Sequence, residues 1–316
     1  MKQTRIAFTL VELLVVMSLI VILAALTIAF FPSVASSARE GRAATLLQGW
    51  LNLSRQRALR DQSPRGVRLW VKPGTYGGAI LPLVVTECQY IEQPDDFAGF
   101  MKPVSVPGLV EKNTIAQPAG GDPRMIFFNF GTTAIDLTNG YGVGPGFAKY
   151  WAVQPGDYLE VNGVGLMHRI EAVLSGTQIQ ISPAMPHLLT QETPNYRIVR
   201  LPRAVGDEML KLPEGTVIDV ETNGAFGAFS NPLPSPSFSN TGLIESYDIL
   251  FAPSGEVISR GVSTDKIHLW VRAPFVDAPT VYFRGDPTLV SVWVRTGFVG
   301  AYSPDQSTPN PYSLVR

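Results

Sequence analysis

Few residues in this chain are of the types that do chemistry. Its three histidines, His168, His187 and His268, are scattered, and no HExxH, no histidine pair at i,i+4 and no Cys/His cluster offers a metal its ligands. His168 and His268 each fall within a predicted strand, where a hydrogen-bonded structural role is expected. Cys88 is the sole cysteine, so no internal disulfide or CxxC site can form. With no base beside it in sequence, it reads as a small packing residue rather than a nucleophile. The glycines at 140, 142, 144 and 146 lack the Lys-Ser/Thr of a phosphate loop and the strand-to-helix order of a dinucleotide site. Asp95, Asp96, Asp122 and Asp157 occupy turns without EF-hand spacing and read as solvated acids. No catalytic residue, metal or cofactor is expected, and the chain is expected not to be an enzyme.

Two charged features remain. Glu12 is the only charged residue in the 24-residue apolar run 8–31. An acidic side chain in hydrocarbon costs up to about 2.5 to 3.5 kcal/mol near a helix centre and less near its end. The second feature is basic: Arg55, Arg57, Arg60, Arg65 and Arg68 stand against Asp61, a local charge of +4 over residues 55–68. Such a patch could contact phosphates or a partner's carboxylates.

The elements that position these groups follow from composition. The formal charge of −1, from 25 Lys+Arg and 26 Asp+Glu, gives no chain-wide field for nucleic acid or an acidic membrane. Apolar residues make up 45% of the 316, enough for a core, which excludes general disorder. With 29 Gly, 26 Pro and only 16% charged residues, strands joined by many turns are expected. At about 1.5 Å per residue the run 8–31 is long enough for the roughly 30 Å core of a bilayer. Lys2 and Arg5 ahead of it favour a cytoplasmic N-terminus, although Arg39 and Arg42 follow on the far side. The run is too long for a cleaved secretory signal.

The basic leader, the small Ala7 and then Phe8-Thr9-Leu10-Val11-Glu12-Leu13-Leu14 resemble the class III signal of type IV prepilins and type II secretion pseudopilins. That resemblance implies cleavage between Ala7 and Phe8 by prepilin peptidase, then N-methylation of Phe8. The family usually has Gly before the cut; Ala7 is the next smallest side chain. Cleavage would place an ammonium on Phe8, and Glu12 of one helix could pair with the amine of a staggered neighbour, fixing the register of an assembling filament. The alternative is a Glu12 that snorkels to the headgroups.

Further on, apolar positions 43, 46, 47, 50, 51, 53 and 58 recur at helical spacing, predicting a helix with one buried face over 35–61. Pro32 is expected to break or kink the chain ahead of it, and Ser63-Pro64 to end it. Strands are predicted over 66–71, 79–85, 157–161, 166–173, 178–181, 266–271, 280–284, 289–295 and 298–302, with a turn at Thr296-Gly297. The passage 53–60 into the Gly66-Val67-Arg68-Leu69 strand resembles GspH/FimT-like minor pseudopilins. So does 212–217 leading to Phe251-Ala252-Pro253-Ser254-Gly255.

The expected fold class is α+β: a long N-terminal membrane-spanning helix packed on an antiparallel β-sheet domain, the pilin fold, with an inserted small β module. The expected division is a leader over 1–7, a transmembrane assembly helix over 8–31 and an amphipathic helix over 32–62. A pilin-like β domain over 63–112 and 204–316 then frames an inserted module over 113–203. The resemblance implies a minor pilin or pseudopilin assembled into a type II secretion pseudopilus or a type IV pilus. Its partners would be prepilin peptidase, other pilin or pseudopilin subunits, an inner-membrane assembly platform and the lipid bilayer, with nucleic acid not the expected partner. The chain would be a single-pass inner-membrane protein with its C-terminal domain in the periplasm or outside the cell. Two alternatives stay open: a DNA-binding minor pilin using Arg55, Arg57, Arg60, Arg65 and Arg68, and a membrane-anchored periplasmic binding protein.

Overall fold

The computed structural model describes residues 10–76, 79–103, 110–117, 121–131, 137, 152–186, 189, 191–220, 233–238, 243–262, 264–277, 280–304 and 312–315. Among the described residues one helix, α1 (Leu10–Asp61), leads into seventeen strands. They are β1 (Arg65–Tyr76), β2 (Ala79–Glu92), β3 (Phe97–Ala98), β4 (Phe100–Pro103), β5 (Val110–Ala116), β6 (Met125–Asn129), β7 (Tyr158–Val161), β8 (Met167–Ser175) and β9 (Gln178–Ser182). After them come β10 (Tyr196–Val199), β11 (Arg203–Lys211), β12 (Val217–Asp219), β13 (Pro236–Phe238), β14 (Ile244–Phe251), β15 (Lys266–Asp277), β16 (Thr280–Trp293) and β17 (Val299–Tyr302).

The strands form two antiparallel sheets. The first has nine strands in the order β13-β14-β1-β2-β12-β15-β16-β17, with β11 also paired to β2; the second has eight, in the order β3-β10-β7-β8-β9-β6-β5-β4. The expected fold class is therefore corrected. Strand outweighs helix, 46% against 19%. Among the described residues no helix is long and apolar enough to cross a membrane. Instead of ending with the apolar run, α1 continues through position 32 as one element that includes Arg39, Glu40 and Arg42. Its far half is committed to the first sheet. The expected membrane-spanning helix and the single-pass inner-membrane placement are corrected with it. The expected break at Pro32 is also absent: a proline costs the interior of a helix one hydrogen bond, and helical residues follow on both sides.

Burial along the far half of α1 follows a helical period. Glu40, Ala43, Ala44, Leu47, Leu51, Ser54 and Ala58 are buried, while Leu46 and Leu53 are exposed, against expectation. Leu47 and Leu51 meet Leu69, Ile249, Ile267 and Val290 from the sheet in one core. Small residues at 43, 44 and 58 let the helix axis approach the strands closely. The helix ends at Gln62, whose φ of 51° is left-handed and whose amide donates back to Leu59 O at 2.6 Å.

The second sheet is no small insert beginning at 113. It starts at Phe97, ends at Val199 and carries its own core around Ile115, Ile126, Leu159, Ile170, Ile179 and Ile198. Alternation explains it: β9 reads half-buried, buried, half-buried along Gln178–Ser182, the period of a sheet with one covered face. The strands that leave and rejoin the first sheet are paired, Glu92 with Arg203 and Ile91 with Ala204. The second sheet thus hangs from a two-stranded neck.

A buried carboxylate ties that neck. Asp157, 1% exposed, accepts from Gln154 N–H at 2.9 Å, Leu201 N–H at 2.9 Å and Arg203 Nη2 at 3.0 Å. The expected solvated turn acid is instead a structural anchor. Asp157→Ala would leave Arg203 half-compensated and should cost about 3 to 5 kcal/mol. The check is a shifted denaturation midpoint together with faster trypsin cleavage near residues 197–203.

The other end of the first sheet carries a pH-sensitive contact. His268 is buried, with Nδ1 2.8 Å from Ser291 Oγ and its ring stacked on Tyr312 at 4.2 Å. Burial, and secondarily the charge of Lys266, push its imidazole down to about 4. In the unfolded chain it titrates near 6.5, so between these values the unfolded state binds the extra proton. Stability should therefore fall as pH drops through that window, by about 3 kcal/mol at most. In urea titrations at successive pH values, His268→Gln should flatten the profile between pH 6.5 and 4.

Candidate functional site

Among the described residues nothing covers the apolar N-terminal part of α1. Every large apolar side chain from position 10 to 23 is exposed, from Leu10 at 79% down to Val16 at 49%. The exposure is not confined to one stripe, since consecutive residues point around the whole helix. A helix that is hydrophobic all round is normally an interior element. Glu12 lies in its first described turn and is exposed, where the helix dipole favours a carboxylate. The expected cleavage and methylation positions, Ala7 and Phe8, lie outside the described residues.

The five arginines do not form one track. Arg68 is held by Asp248 through two bonds of 2.7 Å and donates to Pro202 O at 2.9 Å. Burial opposes its charge, but the bonds to Asp248 win and hold the guanidinium above its ordinary value. Arg55 lies on the far side, its Nε 3.4 Å from Gly255 O. The other three converge. Arg57, Arg60 and Arg65 line a cleft of about 300 Å³ with Ser54, Asp61, Tyr90 and Val205. Arg60 Nε donates to Asp61 at 2.7 Å, Arg65 reaches Asp61 at 3.5 Å and also pairs with Glu92, and Arg57 lies 4.3 Å over the Tyr90 ring. Burial lowers Arg65, and repulsion from Arg57 and Arg60 opposes the pull of Asp61 on it.

This splitting follows from local geometry. Arg57 and Arg60, three residues apart, leave α1 on one face while Arg55 points elsewhere, and β1 alternation sends Arg68 away from Arg65. Tyr90, which lines the cleft, and Glu92, which holds Arg65, carry one signal in the sequence, the alternation of β2 beside β1, where Arg65 faces Glu92. Glu40, on α1, carries no such signal in the sequence. It is fully buried, and its Oε1 accepts the Ala273 N–H at 2.8 Å.

The remaining candidates resolve individually. Cys88 is fully buried, and burial pushes its thiol far above the ordinary range, which makes it inert. His168 is buried with Nδ1 2.7 Å from Pro183 O. His187 and the glycines from 140 to 146 lie outside the described residues. Asp122 accepts from Arg124 N–H at 2.9 Å, and burial raises Asp96 against the pull of Arg197 and Arg200. Among the described residues no group of three His, Cys, Asp or Glu could hold a metal.

No family model, characterised protein or solved structure matches this chain. Its function must be argued from its own residues.

Proposed function

We propose that the chain is a subunit of a pilin- or pseudopilin-type filament that supports protein secretion, cut between Ala7 and Phe8 by prepilin peptidase and incorporated through its N-terminal helix. The reading rests on one observation above all: the all-round apolar surface of α1 from 10 to 23, in the same helix as a half that is buried on the sheet. Among the described residues of one subunit nothing covers this surface. The equivalent segments of neighbouring copies would cover it, burying about 25 cal/mol of stabilisation per Å² of apolar area. Glu12 in this surface would set the axial stagger by meeting the new amine of a neighbour's Phe8. The partners are other subunits of the same kind, the peptidase and an assembly platform.

Two measurements test this in cells carrying the peptidase. The mass of the mature N-terminus should correspond to a chain starting at a methylated Phe8, and Glu12→Ala should fail to enter filaments while Glu12→Asp enters them partly. An intact Met1, or undiminished incorporation of Glu12→Ala, would overturn the reading. The DNA-binding alternative is not favoured, because Arg68 and Arg55 are drawn away from the other three arginines.

A further inference from the structure

We propose that the cleft between the last turns of α1 and the neck strands β1, β2 and β11 is a binding site for a single phosphate group. The inference is independent of the filament reading. Three guanidinium groups reach this cleft from separate backbone positions, Arg57 and Arg60 on the helix and Arg65 at the start of β1. Of the carboxylates, Asp61 is shared between Arg60 and Arg65, and Glu92 meets Arg65 from the sheet side. Arg57 has no ion pair among the described residues, and its guanidinium is held over Tyr90. Arg65 keeps a buried Nε with no hydrogen-bond partner.

The fold therefore gathers like charges that repel one another and leaves the Arg65 Nε donor unsatisfied. A tetrahedral oxyanion answers both. It accepts from several directions at once, so it can take bonds from guanidiniums that converge from three positions, where a planar carboxylate would engage one fork. The volume, about 300 Å³, is at the lower end for small-ligand sites and suits one anionic group with its immediate substituent. An extended nucleic-acid backbone would need the arginines in a line along an open surface. Here Arg55 and Arg68 are committed elsewhere. Tyr90 supplies the flat wall on which a substituent of the phosphate would lie.

The phosphate could be free or could be the headgroup of a phospholipid, and the test separates these sources. Inorganic phosphate is titrated calorimetrically into the full-length chain at low chloride, beside vesicles of phosphatidic acid in phosphatidylcholine and a short DNA duplex. Saturable one-site binding is expected with either inorganic phosphate or the phosphatidic acid vesicles, and whichever binds names the source. Arg57→Gln and Arg60→Gln, both on the helix surface, should each weaken it by about tenfold with an unchanged thermal midpoint. Arg55→Gln should bind as the parent does. Absence of saturation with both phosphate and phosphatidic acid, or undiminished binding by both variants, would overturn the proposal. So would duplex DNA that binds through Arg57 and Arg60 and is not displaced by phosphate.

Discussion

Ile20→Asp should leave the thermal midpoint of the isolated chain unchanged and abolish its association with other subunits. Ile20 is 53% exposed and lies amid exposed apolar neighbours, so the substitution opens no cavity and strands no buried group. In an assembled filament the same position would be enclosed by other helices. Losing an apolar side chain there costs about 1.5 to 3 kcal/mol, and desolvating a carboxylate adds several more. Together these predict a loss of association of more than about 100-fold. Analytical ultracentrifugation and filament incorporation would read it, with circular dichroism as the check on folding. Undisturbed association of Ile20→Asp would show that this surface is not where subunits meet.

The opposite pattern is expected at Glu40. This carboxylate is fully buried between α1 and the sheet, and its Oε1 takes the N–H of Ala273 at 2.8 Å. The register of β15 against β16 shifts between Val271 and Ala273, so the helix supplies an acceptor where the regular ladder is interrupted. Arg272, at that irregularity, is itself buried, 3.5 Å from Asp219 and 4.7 Å from the Trp270 ring. Burial lowers its guanidinium, and the charges of Asp219 and Glu40 counter that shift. Glu40→Ala strands the buried Ala273 N–H and removes one of the charges that offset burial at Arg272, and leaving a buried charge less compensated costs about 3 to 5 kcal/mol. Glu40→Gln can keep the bond to Ala273 and should cost less, about 1 to 3 kcal/mol. Chemical denaturation of the three proteins checks the order. Equal stability of wild type and Glu40→Ala would mean that Arg272 is compensated without the helix.

Both arguments depend on one helix living in two environments, and the two halves were not equally legible. Ala43, Leu47, Leu51 and Ala58 could be read from helical spacing because one face of the helix meets one sheet. Leu46 and Leu53 fit the same pattern and are exposed; spacing marks a stripe but not its width. The Phe251 to Gly255 turn and the Thr296-Gly297 turn were readable since they need residues tolerating positive φ, and Gly255 at 89° and Gly297 at 61° have it. The strands predicted over 280–284 and 289–295 are one continuous β16, because β15 pairs on both sides of Gly285, Asp286 and Pro287, which lie at a register shift. The extent of the second sheet was misjudged for a similar reason: β3 and β10 are short segments whose identity comes from partners about a hundred residues away.

By itself the sequence determined the apolar run with its lone Glu12, the helical face over 43–58, the abundance of strands and turns, and the scarcity of groups that could do catalysis. These are local properties, written in the period and chemistry of adjacent residues. Only the tertiary structure decided that β2 and β11 pair to make a neck, that Asp157 and Glu40 are buried anchors, and that of five clustered arginines three converge, Arg68 pairs with Asp248 and Arg55 turns to the Gly255 carbonyl. Those outcomes turn on which residues distant in sequence are brought within hydrogen-bond reach, and a pairwise Coulomb or hydrogen-bond energy has no value until that distance is fixed.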